Sequence, residues 1–202
     1  HVDITGAPVP IDVDCGDWVK GDAQDVTPTI GHGIYFNIGW NETNRQFERH
    51  IVRHSNGRWL CLQNQPVTVS GVTTYYEPKF GSAYWKLVDG NGNYTIEFSS
   101  TNGDSFYVGH VGTTITPHLF FGNVDISADI DVQYWSWKRQ TESGETAGDI
   151  IWNNNHTQTR VLTLTNADMP TAWARNNKAI FTCTVVVNDG NSQVIIQNQV
   201  IA

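Results

Sequence analysis

A strand pattern that recurs at intervals of about fifty residues constrains the fold of this chain more than any other feature of its sequence. Each of three repeats begins with a short aromatic run: "GIYFNI" (33–38), "AYWKL" (83–87) and "QYWSW" (133–137). The tyrosines Tyr35, Tyr84 and Tyr134 lie 49 and 50 residues apart. One repeat of this length cannot bury its own apolar face, so the repeats are expected to pack around a common axis.

Each aromatic run is followed by two apolar stretches that flank a polar turn. We expect Ile51, Ile96 and Ile150 to begin the strand before this turn in the three repeats. The turns are Asn56-Gly57, Asn102-Gly103 and Asn155-His156.

The repeats divide the chain into a short N-terminal segment and one repeat-built domain. The segment spans 1–32 and could supply a closing strand. The domain spans 33–202 and consists of repeats at 33–82, 83–132 and 133–182 with a partial fourth copy at 183–202. The fourth copy is predicted because "DGNSQVIIQ" (189–197) aligns without a gap on "DGNGNYTIE" (89–97).

Strand signals dominate the rest of the sequence. Thr, Val, Ile, Tyr and Trp alternate with polar residues between Asn-Gly and Asp-Gly turns, a pattern typical of half-buried strands and hairpins. Helical spacing is weak, and the best candidate is a single turn in "MPTAWARNN" (169–177). Glu97 follows the apolar Ile96 and is expected to face solvent. The sequence predicts an all-β fold with long loops across 63–82 and 114–132.

Two stretches resemble the repeats of β-trefoil lectins of the ricin-B-like type. They are "YWKLVDGNGNYTIEFSSTNGDSFYV" (84–108) and "RHSNGRWLCL" (53–62). The Gln-any-Trp tripeptide of ricin-type repeats is absent as such, although Gln133-Tyr134-Trp135 has the Trp in its third position. The resemblance implies a closed threefold barrel, which leaves no free sheet edges, and it implies sugar binding.

Two other architectures stay open. Four copies of the pattern would suit a small four-bladed β-propeller completed by N-terminal residues. "HSNGRW" (54–59) is similar to the His-any-Asn-any-Arg element of galectins, which implies a galectin-like β-sandwich. The Trp-Gly-any-Glu continuation of galectins is missing, because Leu60 follows Trp59.

The aromatic content favours a carbohydrate-binding function. Eight Trp and seven Tyr occur in 202 residues, and aromatic rings can stack on the C–H faces of sugars while Asp, Asn and Gln bind hydroxyl groups. Trp85 and Trp135 recur in the aromatic runs and are expected to be core. The candidate ligand-binding residues follow the polar turns: Trp59 and Asn64, then Asp104, Tyr107 and His110, then Trp152 and Asn155. A threefold set of weak sites would make a useful multivalent lectin for glycans or glycoproteins.

Two further functions stay open. A protease inhibitor on a trefoil scaffold would present the loops at 63–82 and 114–132. A secreted copper-dependent polysaccharide monooxygenase would hold its metal through His1 and either His110 or His118. The sequence has no Gly-any-Ser-any-Gly, His-Glu-any-any-His, phosphate-loop or Cys-any-any-Cys motif. It therefore predicts a binding protein, not an enzyme, with no metal or other cofactor.

Charge, hydropathy and processing signals limit the classes of partner and the location that can be predicted for this chain. A net charge of −8 argues against nucleic acid as a partner. The sequence contains no uninterrupted run of 18 apolar residues, so membrane insertion is not predicted. The first residue, His1, and the sequons at Asn41, Asn93 and Asn155 predict a secreted glycoprotein. Of the three cysteines one pair could form a disulfide. The chain could associate as a homodimer.

Overall fold

The structure is a computed structural model that describes residues 2–90, 93–107, 109–142, 144–176 and 178–202. Strands hold 49% of the residues and helices hold 11%, which confirms the prediction of a mostly β protein. The chain divides into two compact units. The first unit is His1–Gly92 with Asn188–Ser192, and the second unit is Asn93–Val187 with Gln193–Ala202.

The first unit is built on one twisted sheet with two small strand pairs. Its strands are β1 (Ile11–Asp17), β2 (Thr29–Ile30), β3 (Gly33–Ile34), β4 (Gly39–Asn41), β5 (Gln46–His54), β6 (Gly57–Cys61), β7 (Val67–Val69), β8 (Val72–Thr74) and β9 (Trp85–Gly90). The main sheet has the order β1-β5-β6-β9, and β4 also pairs with β5. β1 runs parallel to β5, whereas the other pairings of this sheet are antiparallel.

The β5–β6 hairpin forms where the Asn-Gly signal predicts a turn. His54 pairs with Gly57, and the two residues between them, Ser55 and Asn56, have φ values of 46° and 64°. Two successive left-handed residues match the right-handed twist of the flanking strands. Gly57 has no room for a side chain, because a Cβ there would lie 2.5 Å from Leu87 Cδ1.

Large aromatic side chains fill the core of the first unit. Tyr35, Trp59 and Trp85 are each 1% exposed. Tyr35 meets Trp85 edge to face at 5.5 Å, and Trp59 meets Phe80 in the same way at 5.1 Å. The Trp85 indole donates a hydrogen bond of 2.6 Å to the carbonyl oxygen of Tyr76. The prediction that Trp85 belongs to the core is confirmed.

The second unit contains two sheets and two helices among its described residues. Its elements are β10 (Tyr94–Ser100), β11 (Gly112–Phe121), β12 (Val124–Asp125), β13 (Trp135–Gln140), α1 (Ala147–Asn154), β14 (Leu162–Thr165), α2 (Thr171–Asn176), β15 (Ile180–Asn188) and β16 (Gln193–Ile201). One sheet has the order β10-β11-β12 with β14 paired to β11, and the other has the order β13-β15-β16. Short 3-10 turns lie at Ser127–Asp129, Val132–Tyr134 and Asn166–Asp168.

Alternation along the strands decides which face of the second unit is buried. On β11, buried residues from Thr113 to Phe121 alternate with partly exposed ones, as expected for a strand with one face against a core. Ile96 is buried and Glu97 is exposed, as predicted. Trp135 is fully buried, which confirms its assignment to the core.

Several finer predictions are wrong. Ile150 does not begin a strand, because Thr146 and Asp149 form a capping box that starts α1 at this point. Ile51 and Ile96 lie within β5 and β10, which begin several residues and two residues earlier, respectively. Residues 112–121 form β11, so the long loop predicted across 114–132 is largely a strand. One finer prediction is confirmed, because the helical turn expected near 169–177 is present as α2. No closed barrel is formed by the strands of the described ranges.

The three cysteines are free thiols. Cys61 and Cys183 are buried, and Cys15 is half-buried. Burial raises the pKa of both buried thiols to about 12, so they are neutral at ordinary pH and pack as small apolar side chains. The disulfide that the cysteine count allows is not formed.

Candidate functional site

An open groove of about 470 Å³ lies in the first unit beside the β5–β6 turn. We call it the hairpin groove. It is formed by the end of β1 with Trp18, by residues 53–58, and by Asp89 and Gly90 at the end of β9. Its volume falls within the range of about 300–1,000 Å³ that is usual for small-molecule sites.

One wall of the hairpin groove is aromatic. The Trp18 and His54 rings meet edge to face, with centroids 5.3 Å apart. The backbone N–H of Trp18 donates to the carbonyl oxygen of Arg53 at 2.9 Å. His54 Nε2 lies 2.9 Å from Glu77 Oε1, and the carbonyl oxygen of His54 accepts the indole N–H of Trp59 at 2.8 Å. The Glu77 contact orients the His54 ring, and the backbone bond places Trp18 beside β5.

A row of four charged residues crosses the sheet at the same place. Asp17 pairs with Arg53, Arg53 pairs with Arg58, and Arg58 pairs with Asp89 on four successive strands. Arg53 Nε lies 3.3 Å from Asp17 Oδ1, and Arg58 Nη2 lies 3.2 Å from Asp14 Oδ2. Two like charges directly opposite each other destabilise a hairpin, and the flanking carboxylates offset that repulsion.

Arg58 also has an unused hydrogen-bond donor. Its Nε atom is buried and has no hydrogen-bond partner within the described parts of the chain. A buried donor without a partner costs about 1–3 kcal/mol.

A second cavity of the first unit, of about 290 Å³, contains the buried pair Glu48 and His50. Both residues are 1% exposed. The Glu48 carboxylate accepts hydrogen bonds from the side-chain amides of Asn41, Asn44 and Gln46 at 2.7–3.0 Å. Burial would raise the pKa of Glu48, but these amides and His50 together lower it to about 2. Glu48 is therefore a charged, fully bonded carboxylate.

The His50 ring has no nitrogen left for proton transfer. Its Nδ1 accepts the backbone N–H of Phe36 at 3.1 Å, so the ring proton lies on Nε2, which is 3.2 Å from Glu48 Oε2. Burial lowers the pKa of His50 and keeps the ring neutral. In the same cavity, burial and the charges of Glu48 and Asp14 raise the pKa of the Cys15 thiol to about 12. This cluster is structural and offers no nucleophile.

The predicted site residues of the first repeat are used inside the fold. Trp59 is 1% exposed and packs on Phe80, so its ring has no face open to a ligand. The Asn64 side chain accepts the backbone N–H groups of Asn37 and Ile38 at 2.7 and 3.2 Å and donates to the carbonyl oxygen of Ile38. Both side chains therefore serve packing and hydrogen bonding within the fold, not ligand binding.

Trp152 of the third repeat is covered as well. His156 stacks on its ring at 3.6 Å, and the Arg139 guanidinium lies 5.4 Å from the ring centroid. The Trp152 indole donates to Asp168 Oδ1 at 2.9 Å. Asn155 is exposed, and its backbone N–H bonds to Trp152 at the end of α1.

The candidates of the second repeat are the most exposed. Tyr107 is 81% exposed, and its carbonyl oxygen accepts the N–H of His110 at 2.9 Å, so these two residues share one turn. Asp104 lines a separate cavity of about 250 Å³ together with Phe98 and Gln199. His1, which would bind copper only under the monooxygenase alternative, lies outside the described residues.

Metal ligation and glycan attachment can be checked on the described residues. They contain no group of three or more His, Cys, Asp or Glu side chains that could hold a metal ion. Asn41 is 8% exposed and its amide is bonded to Glu48, so this sequon is blocked in the folded chain. Asn93 and Asn155 are exposed.

A local sequence pattern, an arginine on each side of a hairpin turn, indicates part of the hairpin groove, although comparison of the repeats does not reveal it. In Arg53-His-Ser-Asn-Gly-Arg58 an arginine stands on each side of a hairpin turn, and residues at equal distances from a two-residue turn lie opposite each other. Trp18 is harder to find, because it reaches this turn through the parallel pairing of β1 with β5.

Comparison with known protein families, curated proteins and solved structures finds no match for this chain. Over the ranges that the structure describes, each helix is too short or too polar to cross a lipid bilayer.

Proposed function

We propose that this protein is a lectin that binds glycans through the hairpin groove. The observation that carries this proposal is the position of the Trp18–His54 wall beside the row of charged residues from Asp17 to Asp89. An aromatic face with convergent donors and acceptors is the combination that a sugar ring requires.

The charges of the groove favour a neutral saccharide. Asp17 and Asp89 balance Arg53 and Arg58, so the row has no net charge. Guanidinium groups only donate hydrogen bonds and carboxylates only accept them, whereas a sugar hydroxyl does both. Vicinal hydroxyls could therefore bridge an arginine and an aspartate of this row.

The groove is open, which sets the expected affinity. Exposed polar contacts exchange with water and give little net free energy, about 0.5–1.5 kcal/mol for each hydrogen bond. We therefore expect weak binding at one site. Association into a homodimer or binding to repeated glycans would raise the avidity.

The experiment is a glycan panel read by thermal shift and by direct binding. A ligand that binds the native state raises its melting temperature. Trp18→Ala should weaken binding about tenfold, because loss of the aromatic contact surface costs about 1.5 kcal/mol and about 1.4 kcal/mol is a factor of ten. Trp40→Ala is the matched control, since Trp40 is a 42% exposed tryptophan of the same unit that packs on Phe47 outside the groove. Absence of binding to every glycan, or equal binding by the two variants, contradicts the proposal.

The finer architecture also belongs to the proposal. The fifty-residue spacing of the aromatic runs and the burial of Trp85 and Trp135, which occupy equivalent positions of the second and third runs, support a trefoil-like arrangement of three repeats. A four-bladed propeller and a galectin-like sandwich are the alternatives. Secretion as a glycoprotein fits a glycan-binding role, with Asn93 and Asn155 exposed for attachment.

One observation favours protease inhibition as the second candidate. The β7–β8 hairpin has Ser70 and Gly71 at its tip, and Val69 and Val72 beside the tip are each 66% exposed. An exposed apolar hairpin is a plausible segment to present to a protease cleft. Inhibition of a serine or cysteine protease that is lost in Val69→Asp would support this function, and it would be independent of added sugar.

A further inference from the structure

Ser99, His118 and Asp125 form a hydrogen-bonded chain on the exposed face of the β10-β11-β12 sheet. Ser99 Oγ lies 3.1 Å from His118 Nε2, and His118 Nδ1 lies 3.0 Å from Asp125 Oδ2. We refer to these residues as the β10–β12 triad. The triad belongs wholly to the second unit, and its chemistry does not depend on the sugar-binding role of the hairpin groove.

The partners of His118 determine which of its ring nitrogens carries the proton. A carboxylate accepts hydrogen bonds only, so His118 Nδ1 must donate to Asp125. Nε2 is then the unprotonated nitrogen. It lies 3.1 Å from Ser99 Oγ, closer than the carbonyl oxygen of Thr116 at 3.5 Å, so it accepts the hydroxyl proton of Ser99. This tautomer is the one that a general base needs in order to activate a serine hydroxyl.

The carboxylate of Asp125 is itself held in place. Its Oδ1 accepts the backbone N–H of Ser127 at 2.9 Å. Ser127 is buried, and its Oγ accepts the backbone N–H of Leu119 at 2.7 Å. Partial burial would raise the pKa of Asp125, but the bonds from Ser127 and His118 lower it. The residue that orients His118 therefore stays ionised.

Strand register brings the three side chains together. Ser99 lies opposite Thr116 and Glu97 lies opposite His118, so Ser99 and His118 are diagonal neighbours on one face. Diagonal neighbours are about 7–8 Å apart at the backbone and within reach of long side chains. His118 is 34% exposed and Asp125 is 40% exposed at their side chains, so a substrate can approach.

We propose that the β10–β12 triad hydrolyses carboxylic esters, with Ser99 as nucleophile and His118 as general base. Ser99 Oγ adds to the ester carbonyl carbon while its proton passes to His118 Nε2. The bond from that carbon to the leaving oxygen then breaks, and the imidazolium returns the proton to the leaving oxygen. Water adds to the acyl-serine by the same route and releases the carboxylic acid. One ester and one water give one acid and one alcohol.

The surroundings select the substrate class. The carboxylates of Glu97 and Asp125 flank His118, so they repel anionic substrates and stabilise the imidazolium that forms. The site therefore favours uncharged esters.

The test uses p-nitrophenyl acetate hydrolysis and covalent labelling by a fluorophosphonate. General-base assistance contributes about 10²–10⁴-fold, so Ser99→Ala and His118→Gln should each lower the rate at least about tenfold. Ser100→Ala is the matched control, because Ser100 is the next residue of β10 and points to the opposite face. Its rate should equal that of the wild-type protein.

Mass spectrometry should place one fluorophosphonate adduct on Ser99. Hydrolysis no faster than in buffer, equal rates for wild type and Ser99→Ala, or an adduct on another residue would overturn the proposal. Circular dichroism of each variant separates loss of chemistry from loss of fold.

Asp125 is a positioning residue, and Asp125→Asn tests that role separately. An amide can donate to His118 Nδ1 and thereby favour the tautomer that cannot accept from Ser99. We expect kcat to fall with KM unchanged. An unchanged kcat, or a change confined to KM, would refute the role of Asp125.

Discussion

At the scale of single residues, the Glu48–His50 pair shows how the first unit keeps a charge in its interior. Three side-chain amides and one imidazole N–H supply four hydrogen bonds to one carboxylate. A carboxylate has about four acceptor positions, so this one is saturated. The pair contributes stability and leaves no atom for catalysis.

The protein should lose stability as the pH falls. The pKa of Glu48 is about 2 in the folded state against an ordinary 4.5, so its contribution is complete above about pH 5 and is lost between about pH 4.5 and pH 2. At most about 3 kcal/mol is at stake. His50, whose pKa is lowered in the folded state, adds a loss that begins below its ordinary pKa of about 6.5.

Urea unfolding at pH 7, 5 and 3 measures this loss. Glu48→Gln should be less stable than wild type at pH 7. The substitution introduces an amide NH₂ group that would face the donor amides of the neighbouring Asn41, Asn44 and Gln46 side chains. The variant should also show a shallower dependence on pH below pH 5. Identical pH profiles for the two proteins would contradict the role assigned to Glu48.

The sequence predicted the burial of Trp85 and Trp135 but not that of Trp59 and Trp152. Period-two alternation places Trp59 and Cys61 on the same face of β6. That face is buried because side chains distant in the sequence, such as Phe80, pack on it. Trp152 is covered by Arg139, which is brought to it by the buried ion pair with Asp149. Tertiary contacts of this kind have no local sequence signal.

At the scale of elements, the β5–β6 hairpin determines the position of Arg53 and Arg58. Gly57→Ala should destabilise the protein, because the new Cβ would lie 2.5 Å from Leu87 Cδ1 and 2.9 Å from Trp59 Nε1. Overpacking of this kind costs about 1–3 kcal/mol, and about 1 kcal/mol lowers the melting temperature by roughly 2–4 °C in a chain of this size.

Gly112→Ala is the control for this substitution. Gly112 begins β11 and has nothing within 4 Å of its Cβ position, so its replacement should leave the melting temperature within about 1 °C, as for a surface site. Calorimetry compares the two variants. Equal melting temperatures would show that the close approach at Gly57 is relieved without cost.

Helix α1 was not predicted from the sequence, which indicated a strand at Ile150. Its capping box, Thr146 with Asp149, is readable in the sequence, but Gly148 and the Asn residues at its end are poor helix formers. The helix forms because Asp149, which is fully buried, accepts bonds from Arg139, Thr141 and Thr146. Long-range contacts override the local preference.

Asp149→Asn should therefore be strongly destabilising. It leaves the Arg139 guanidinium, 4% exposed, without its counter-charge, and breaking a buried pair costs about 3–5 kcal/mol. Glu142→Gln is the matched control, because its ion pair with Arg175 is exposed and should contribute less than about 1 kcal/mol. Denaturant unfolding measures the loss of unfolding free energy in each variant. Similar losses in the two variants would contradict the role assigned to the buried ion pair.

At the scale of the whole molecule, local patterns predicted the class but not the strand pairing. Alternation and turn residues gave a mostly β chain with a hairpin at residues 54–57. The parallel pairing of β1 with β5 joins residues that are 36 or 37 positions apart, and no turn signal encodes it. That pairing carries Trp18 to the hairpin groove, so the groove could not be assembled from repeats alone.

The same limit applies to the β10–β12 triad. Ser99, His118 and Asp125 lie on three strands and belong to no short motif of the kind that marks a nucleophile elbow. They become neighbours only through the register of β10 with β11 and of β11 with β12. No catalytic signature along the chain marks them.

The central claim is that the hairpin groove binds glycans, and NMR titration of the labelled protein with the best saccharide of the panel tests it most directly. The account predicts the largest chemical-shift changes at the Trp18 indole and the Arg58 Nε–H, with smaller changes at His54 and Asp89. Saturating saccharide that shifts only residues outside the groove, such as Tyr107 and His110, or that shifts none, would contradict it.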